Sequence, residues 1–201
     1  MKIICIGRNY ANHAKEMNAA VPTEPMFFMK PDTALFRDRD FYHPDFTDDL
    51  HYELELVVKI TKMGKHIAPE FANNYFESYG IGIDFTARDL QKVCKEKGHP
   101  WEKAKSFDNS AVISQEFVPK EEVTASTPYE LYKNGEIVQT GHMKDMIFDI
   151  PTLISHASKF VTLKPGDLIY TGTPEGVGPI QKGDILIGKL NDRQLFEIHV
   201  K

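Results

Sequence analysis

The chain has few cysteines, no long apolar run near its start and no block of like charges. Only two cysteines occur among 201 residues, Cys5 and Cys94, and they stand far apart without a Cys-x-x-Cys spacing. A disulfide framework or a thiolate zinc site is therefore not expected, and both thiols are predicted to be reduced and structural. The apolar run at residues 3–6 is too short for a signal-peptide core or a membrane span. These absences predict a soluble, cytoplasmic protein.

The charge balance excludes further classes of partner. The chain carries 24 basic and 29 acidic side chains, which gives a formal net charge of −5. No run of about five like charges occurs along it. A protein of this charge has little attraction for a phosphate backbone or an anionic membrane surface. We therefore expect neither a nucleic-acid partner nor a membrane partner.

The length and apolar content fit one domain over residues 1–201. With 41% hydrophobic residues, the chain can form one core, whereas an eight-fold β/α barrel needs about 250 residues. Short strand patterns separated by turn signals dominate the second half, for example around Asn134-Gly135. Helices are predicted at 9–17, 69–79, 87–97 and 151–159. The pattern indicates a β-rich α+β fold.

Two glutamates on one strand give the sharpest chemical signal. In the alternating stretch 51–60, Glu53 and Glu55 share one face, opposite an apolar face. Their Cα atoms lie about 6.6 Å apart, so the carboxylates repel unless a proton or a cation intervenes. A solvated strand face is the alternative explanation. A third acid, Asp84, ends a short strand just before a helix, where open sheets place functional groups. Three such oxygen donors favour a hard cation such as Mg²⁺ or Mn²⁺.

A histidine and a glutamate three residues apart form a second candidate pair. On a helix, His13 and Glu16 lie on the same face, so the carboxylate can hold one ring nitrogen and leave the other as a base. An exposed helix with incidental polar residues is the alternative. Residues 8–18 contain few core-forming side chains and follow Gly7, which indicates a segment that orders when substrate binds.

Five motifs taken together resemble the fumarylacetoacetate hydrolase superfamily. They are Gly-Arg-Asn-Tyr at 7–10 with His13 and Glu16, Glu-Leu-Glu-Leu at 53–56, and the segments 84–91, 105–108 and 171–178. The resemblance covers nearly the whole chain, and the compact form is most similar to the acylpyruvase and fumarylpyruvate hydrolase branch. It implies rolled mixed β-sheets around a metal site, a few short helices and a homodimer. Residues 1–50 would hold the N-terminal strand, lid and loops, and residues 51–201 the metal-binding β core.

The resemblance also implies roles for single residues. All three acids match ligands of Mg²⁺ or Mn²⁺: Glu53, Glu55 and Asp84. Lys105 matches the lysine beside the metal, and His13 with Glu16 matches the catalytic dyad on a mobile lid. Four residues match positions that contact substrate: Arg8, Arg88, Gln91 and Thr173. The stretch 109–114 departs from these relatives, because it lacks the glycine expected in the loop beyond Lys105.

These roles imply a metal-dependent hydrolase of acylpyruvate-type 2,4-diketo acids. Three carboxylates and one divalent ion together carry one negative charge, and adding Lys105 and Arg88 gives a net charge of one positive. A site of this net charge suits a small 2-oxo acid, which carries a carboxylate. Water activated by His13 and Glu16 would cleave a C–C bond, giving pyruvate and a carboxylic acid. The alternative is an oxaloacetate decarboxylase or a 2-oxo-acid isomerase or tautomerase, because these reactions also pass through the enolate of a 2-oxo acid. A third possibility is a non-catalytic homologue that binds a metal or ligand, but the presence of both His13 and Glu16 favours an enzyme.

Overall fold

The structure is a computed structural model that describes residues 1–17 and 20–201. Its helices are short: α1 (Ala11–Glu16), α2 (Pro69–Ala72), α3 (Arg88–Lys97), α4 (Glu102–Lys105) and α5 (Ile150–Phe160). The strands of the first half are β1 (Ile3–Gly7), β2 (Met26–Lys30), β3 (Leu35–Phe36), β4 (Asp40–Phe41), β5 (Leu50–Tyr52), β6 (Leu54–Ile60), β7 (Phe76–Asp84) and β8 (Thr86–Ala87). Those of the second half are β9 (Ala111–Ile113), β10 (Val118–Pro119), β11 (Tyr129–Lys133), β12 (Glu136–Gly141), β13 (Leu168–Tyr170), β14 (Gly178–Pro179), β15 (Ile185–Leu190) and β16 (Arg193–Val200).

These strands form three sheets. The largest has the order β2-β1-β13-β6-β7-β9-β3, with β10 added beside β7. It is mixed, because β1 runs parallel to β13 whereas β6 pairs antiparallel with both β13 and β7. A five-stranded sheet, β12-β11-β15-β16-β4, and a small sheet, β14-β5-β8, complete the fold. The prediction of a β-rich fold with rolled mixed sheets and a few short helices is confirmed.

Strand β6 lies between two apolar clusters. Its residues Leu54, Leu56, Val58 and Ile60 belong to the main core, as the alternation predicts. Val57 on the opposite face is also fully buried, in a second cluster with Ile3, Cys5 and Tyr170 among others. The alternative of a solvated second face is therefore wrong for Glu55 and Val57, which are buried, whereas Lys59 on the same face is exposed.

The predicted helix at 69–79 is the clearest error of the sequence analysis. The helix begins at Pro69 but ends at Ala72, and Phe76 already belongs to β7. Phe76 pairs with Ile60 of β6, and both side chains are buried in the main core. Aromatic residues spaced at threes and fours also occur in strands, and pairing with β6 decides between the two structures.

Local signals elsewhere agree better with the structure. Helix α3 ends at Gly98, which takes the left-handed conformation with φ 66°. The hairpin between β11 and β12 turns at Asn134 and Gly135, both with positive φ. Asn109, in the stretch that lacks a glycine, has φ 63°. Asparagine tolerates this conformation better than most residues, so the loop beyond Lys105 turns without glycine.

The expectations about cysteines and membrane spans can also be compared with the structure. Both Cys5 and Cys94 are free and buried. Burial and the nearby charge of Asp84 raise the pKa of the Cys5 thiol well above its ordinary value. Among residues 1–17 and 20–201, no helix has the length and apolar character needed to cross a membrane.

Candidate metal centre and active site

The antiparallel pairing of β6 and β7 brings the three predicted carboxylates together. Glu53 precedes β6, Glu55 lies within it, and Asp84 is the last residue of β7. The Asp84 amide donates to the Glu53 carbonyl at 2.8 Å, which fixes the two chain segments side by side. One oxygen from each of the three side chains lies within 4.8 Å of the others, and all three residues are buried. The alternative of a solvated strand face is therefore wrong.

The chemistry of this cluster fits a hard divalent cation. All three donors are carboxylates, the ligand type that Mg²⁺ and Mn²⁺ prefer. Burial and the charges of Asp84 and Glu53 raise the pKa of Glu55 well above its ordinary value. Asp84 Oδ1 is buried and accepts no hydrogen bond from the described residues, although Lys30 Nζ forms an ion pair with it at 2.7 Å. Both features describe carboxylates that additional positive charge would stabilise.

Lys105 lies between two of the carboxylates. Its Nζ donates to Glu53 Oε2 at 2.7 Å, to Asp84 Oδ2 at 2.8 Å and to Thr86 Oγ1 at 2.6 Å. Burial alone would lower the pKa of Lys105, but Asp84 and Glu53 raise it above the ordinary lysine value. Because its three protons are all engaged, Lys105 is a fixed cation of the centre and is unsuited to act as a base.

Lys30 is a cation of this centre that the sequence analysis missed. It ends β2, is only 2% exposed, and pairs with Asp84. Its Nζ also donates to the carbonyl of Lys105 and, at 3.0 Å, to the carbonyl of Ser110. The available signal was the period of two in β2, which places Lys30 on the same face as Phe28, a residue that lines the site.

Arg88 and Gln91 act on the centre from the first turn of α3. Arg88 Nη2 donates to Glu53 Oε1 at 2.6 Å, and Nη1 donates to Gln91 Oε1 at 2.8 Å. Burial would raise the pKa of Glu53, but Lys105 and Arg88 hold it well below its ordinary value. Arg88 therefore contacts a predicted metal ligand as well as lining the space predicted for substrate.

The predicted dyad forms on α1. His13 Nδ1 and Glu16 Oε2 are 3.1 Å apart, and His13 is buried. The alternative, in which His13 would be an incidental polar residue of an exposed helix, is therefore wrong. Glu16 Oε1 accepts the amide of Gly176 at 3.1 Å, so the carboxylate links α1 to the loop at 171–178. With Nδ1 facing Glu16, the ring leaves Nε2 as its second nitrogen.

Close backbone packing holds the start of α1 against the same loop. Asn9 is fully buried, and its Nδ2 donates to the Thr171 carbonyl at 2.8 Å. Gly172 has φ 101°, and a Cβ on it would lie 2.6 Å from the Cβ of Asn9. Glycine is therefore required here by conformation and by space. The Gly172 amide donates to Glu55 Oε2 at 2.7 Å, so this loop joins the dyad segment to the acid cluster.

One small cavity contains nearly all the predicted site residues. Its space for water-sized spheres is about 40 Å³, which corresponds to a few water molecules. Glu16 is not part of its wall but contacts His13, which is. Nine predicted residues line the cavity: Arg8, His13, Glu53, Glu55, Asp84, Arg88, Gln91, Lys105 and Thr173. Lys95 and Trp101 also line the cavity, although no sequence motif indicated them. Gln139, likewise not predicted, donates to Thr173 Oγ1 at 2.9 Å and accepts the Leu54 amide at 2.8 Å.

The rolled mixed sheets, the buried three-carboxylate centre and the adjoining His–Glu pair define an enzyme of the fumarylacetoacetate hydrolase type. The chain belongs to the fumarylacetoacetate hydrolase family, whose C-terminal domain matches residues 2–199. The family resemblance expected from the five motifs is thus confirmed.

Named relatives and a solved structure agree with this membership. The chain is 45% identical over 185 residues to the mitochondrial oxaloacetate tautomerase of Bos taurus, covering 90% of this chain and 83% of the relative. It is 46% identical over 189 residues to an oxaloacetate tautomerase of Escherichia coli, covering 92% and 86%. A mitochondrial oxaloacetate decarboxylase of Dictyostelium discoideum is 41% identical over 189 residues, with the same coverage. The structure of fumarylpyruvate hydrolase from Pseudomonas aeruginosa with Mn²⁺ and pyruvate superposes with a TM-score of 0.92 at 36% identity, covering 100% of this chain and 89% of that one.

Proposed function

We propose that the chain is a divalent-metal-dependent enzyme that generates an enolate from oxaloacetate: the enolate of oxaloacetate itself as a tautomerase, or that of pyruvate as a decarboxylase. The observation that carries the proposal is the charge of the centre. Three carboxylates and one divalent ion leave one negative charge, and three bonded cations, Lys30, Lys105 and Arg88, turn it into two positive charges. Such a centre suits a dianionic 2-oxo acid. The names of the tautomerase and decarboxylase relatives support the same substrate.

Each group around the centre has a distinct part in the proposed reaction. Glu53, Glu55 and Asp84 would hold Mg²⁺ or Mn²⁺, which supplies chelation of the 2-oxo acid and Lewis-acid stabilisation of the enolate. Lys105 fixes two of these carboxylates, and its ammonium group adds to the field that favours negative charge on the substrate. Arg88 fixes Glu53 from the opposite side of its carboxylate.

Tautomerisation moves a proton from C3 of oxaloacetate to the 2-oxo oxygen, and it therefore requires a base at C3. Lys105 is charged, and its Nζ donates three hydrogen bonds, so its nitrogen has no lone pair with which to accept that proton. The contact with Glu16 engages Nδ1 of His13 and leaves Nε2 for another partner. The His13 ring lines the cavity. We assign the C3 proton transfer to His13, oriented by Glu16. Decarboxylation needs no such transfer, because the C3–C4 bond breaks as CO₂ departs and its electron pair leaves the enolate of pyruvate.

Acylpyruvate hydrolysis is the second candidate, and one further observation favours it. An apolar groove lined by Met26, Phe28 and Trp101 among others adjoins the cavity, with which it shares these three residues. This groove would accept the acyl tail of a 2,4-diketo acid, while His13 and Glu16 would activate water. The fumarylpyruvate hydrolase with a similar structure supports this candidate at the level of the family.

A comparison of substrates tests the proposal. The purified protein is assayed with Mg²⁺ for oxaloacetate keto–enol exchange, for oxaloacetate decarboxylation and for acetylpyruvate cleavage. We expect kcat/KM for one oxaloacetate reaction to exceed that for acetylpyruvate by at least about tenfold, a difference of about 1.4 kcal/mol in transition-state stabilisation. A reversed preference would establish the second candidate. Turnover of neither substrate, with the metal bound, would show that the proposed function is wrong.

A further inference from the structure

Two cations in the wall of the cavity differ from the rest in having no bonded partner. Lys30, Lys105 and Arg88 each form an ion pair with a carboxylate. Arg8 and Lys95 line the same cavity, yet within residues 1–17 and 20–201 neither forms an ion pair within 4.0 Å or a side-chain hydrogen bond. Their charges are therefore available to a ligand.

The fold directs both side chains to the cavity from different walls. Lys95 follows Arg88 and Gln91 by seven and four positions on α3, so the three share one helix face. The ammonium of Lys95 lies 5.8 Å from the ring centroid of Trp101, another residue of the cavity wall. Arg8 directly follows β1 and adopts a left-handed conformation with φ 57°, which is uncommon for a residue with a side chain.

Positive charge is concentrated at this part of the cavity. The pKa of Lys95 is lowered from its ordinary value, chiefly by partial desolvation and further by repulsion from Arg88 and Arg8. An anion placed among these groups would relieve the repulsion. The three-carboxylate centre already accounts for the cations bonded to it, so Lys95 and Arg8 would meet a second, more distant anionic group of the substrate.

We propose that Lys95, assisted by Arg8, binds the distal carboxylate of a four-carbon 2-oxo dicarboxylate and so selects it over 2-oxo acids that lack a second carboxylate. The inference rests on the proposed function, in which the first carboxylate and the 2-oxo group lie at the metal centre. Lys95 is then a specificity-determining residue, whereas the reaction itself depends on His13 and the centre. Charge-assisted hydrogen bonds from a lysine and an arginine are suited to this recognition.

Kinetics of a Lys95→Met variant test the proposal, with Lys92→Met as the matched control. Lys92 is an exposed lysine of the same helix that lies outside the cavity wall. We expect Lys95→Met to raise KM for oxaloacetate about tenfold, as for a lost charge-assisted hydrogen bond. Its kcat, and KM for acetylpyruvate, should change little. Lys95→Arg should keep most of the affinity, and Lys92→Met should behave as the unmodified protein.

Calorimetry gives a second readout that does not depend on turnover. The Mg²⁺-loaded protein is titrated with 3,3-difluorooxaloacetate, which keeps both carboxylates, and with pyruvate, which has only one. Lys95→Met should weaken binding of the first ligand about tenfold and leave the second unchanged. An unchanged KM and Kd for the dicarboxylates in a variant that melts normally would overturn the proposal. Selective binding without oxaloacetate turnover in the unmodified protein would instead overturn the proposed function and leave this inference standing.

Discussion

At the scale of single residues, the site consists of buried charges that balance one another. Glu53 accepts from both Arg88 and Lys105, whereas within the described part of the chain Glu55 accepts a single hydrogen bond, from the backbone amide of Gly172. The pKa of Glu53 is accordingly lowered and that of Glu55 raised. Identical side chains two residues apart thus differ because their surroundings differ.

The metal centre gives the first prediction. Mg²⁺ or Mn²⁺ at a concentration of about 100 times Kd should stabilise the protein by about 2.7 kcal/mol, which corresponds to a rise in Tm of about 5–10 °C. Removing the metal ion with a chelator should abolish both the activity and the rise in Tm. Glu55→Gln should remove the metal-induced rise, whereas Glu77→Gln, at an exposed position of β7, should keep it. Differential scanning fluorimetry measures both shifts, and an unchanged shift in Glu55→Gln would contradict the assignment.

Lys30 gives a prediction about stability. Replacing it by Met leaves Asp84 with one cation fewer and removes the donor to the Lys105 and Ser110 carbonyls. Breaking a buried pair costs about 3–5 kcal/mol. Urea unfolding without metal should show a loss of this size, and added Mg²⁺ should reduce it, because the ion supplies positive charge to Asp84. Lys62→Met, at an exposed position, is the control. A loss below about 0.5 kcal/mol would be typical of a surface substitution and would refute the role.

The dyad and Lys105 can be separated by comparing two reactions. His13→Ala should reduce oxaloacetate tautomerisation, and any acylpyruvate cleavage, by about 10²–10⁴-fold, the usual contribution of a general base. It should reduce decarboxylation much less. Lys105→Ala should damage all of these reactions, since each passes through the enolate of a 2-oxo acid, which the charge of Lys105 stabilises. The ratio of activities in one preparation cancels errors in active-site concentration. An equal loss of every reaction in His13→Ala, with Mg²⁺ binding intact, would indicate a positioning or lid-closing role instead.

At the scale of elements, strands supply the carboxylates of the centre and a short helix adds His13 to the wall of the cavity. Strands β6 and β7 carry the acids within a hydrogen-bonded pair, so their geometry is fixed by the sheet. Helix α1 has only six residues, and its contact with the loop at 171–178 includes the bonds Glu16–Gly176 and Asn12–Glu175. A helix this short depends on such contacts for its stability.

The lid hypothesis therefore remains a prediction about α1. The hypothesis covers residues 8–18, of which residue 18 lies outside the described residues. Without ligand, the amides of α1 should exchange faster than those of β6, and oxalate with Mg²⁺ should slow them. Hydrogen exchange followed by mass spectrometry measures the difference. The buried side chains of Asn9, Tyr10 and Ala14 anchor the beginning of the segment, so we expect the effect to increase toward Glu16. Equal protection with and without ligand would count against a lid.

At the scale of the whole molecule, residues before and after position 50 share one sheet. Strands β1, β2 and β3 belong to the same sheet as β6 and β7, and Lys30 of β2 reaches the centre. We propose that residues 1–201 form one catalytic domain and that two copies form a homodimer. The dimer rests on the family resemblance. Light scattering at micromolar concentration should give about twice the monomer mass of 22.9 kDa, and a value near the monomer mass would show the proposal to be wrong.

Much of the site follows from rules that act over a few residues. The period of two placed Glu53 and Glu55 on one face, and the spacing of three placed Glu16 beside His13. The helix predicted at 87–97 ends at Lys97, where Gly98 follows in a left-handed conformation. These features depend on the directions of neighbouring side chains along a strand or helix, which the sequence by itself determines.

The remaining features were decided only by the tertiary structure. Whether the face of Glu55 was solvated or buried depended on parts of the chain packed over β6, and Phe76 entered a strand because β6 was available to pair with it. Lys30 and Lys95 resemble ordinary lysines in the sequence, since their surroundings come from segments distant along the chain. Burial and charge pairing act between segments that only folding brings together, and no local pattern records which segments will meet.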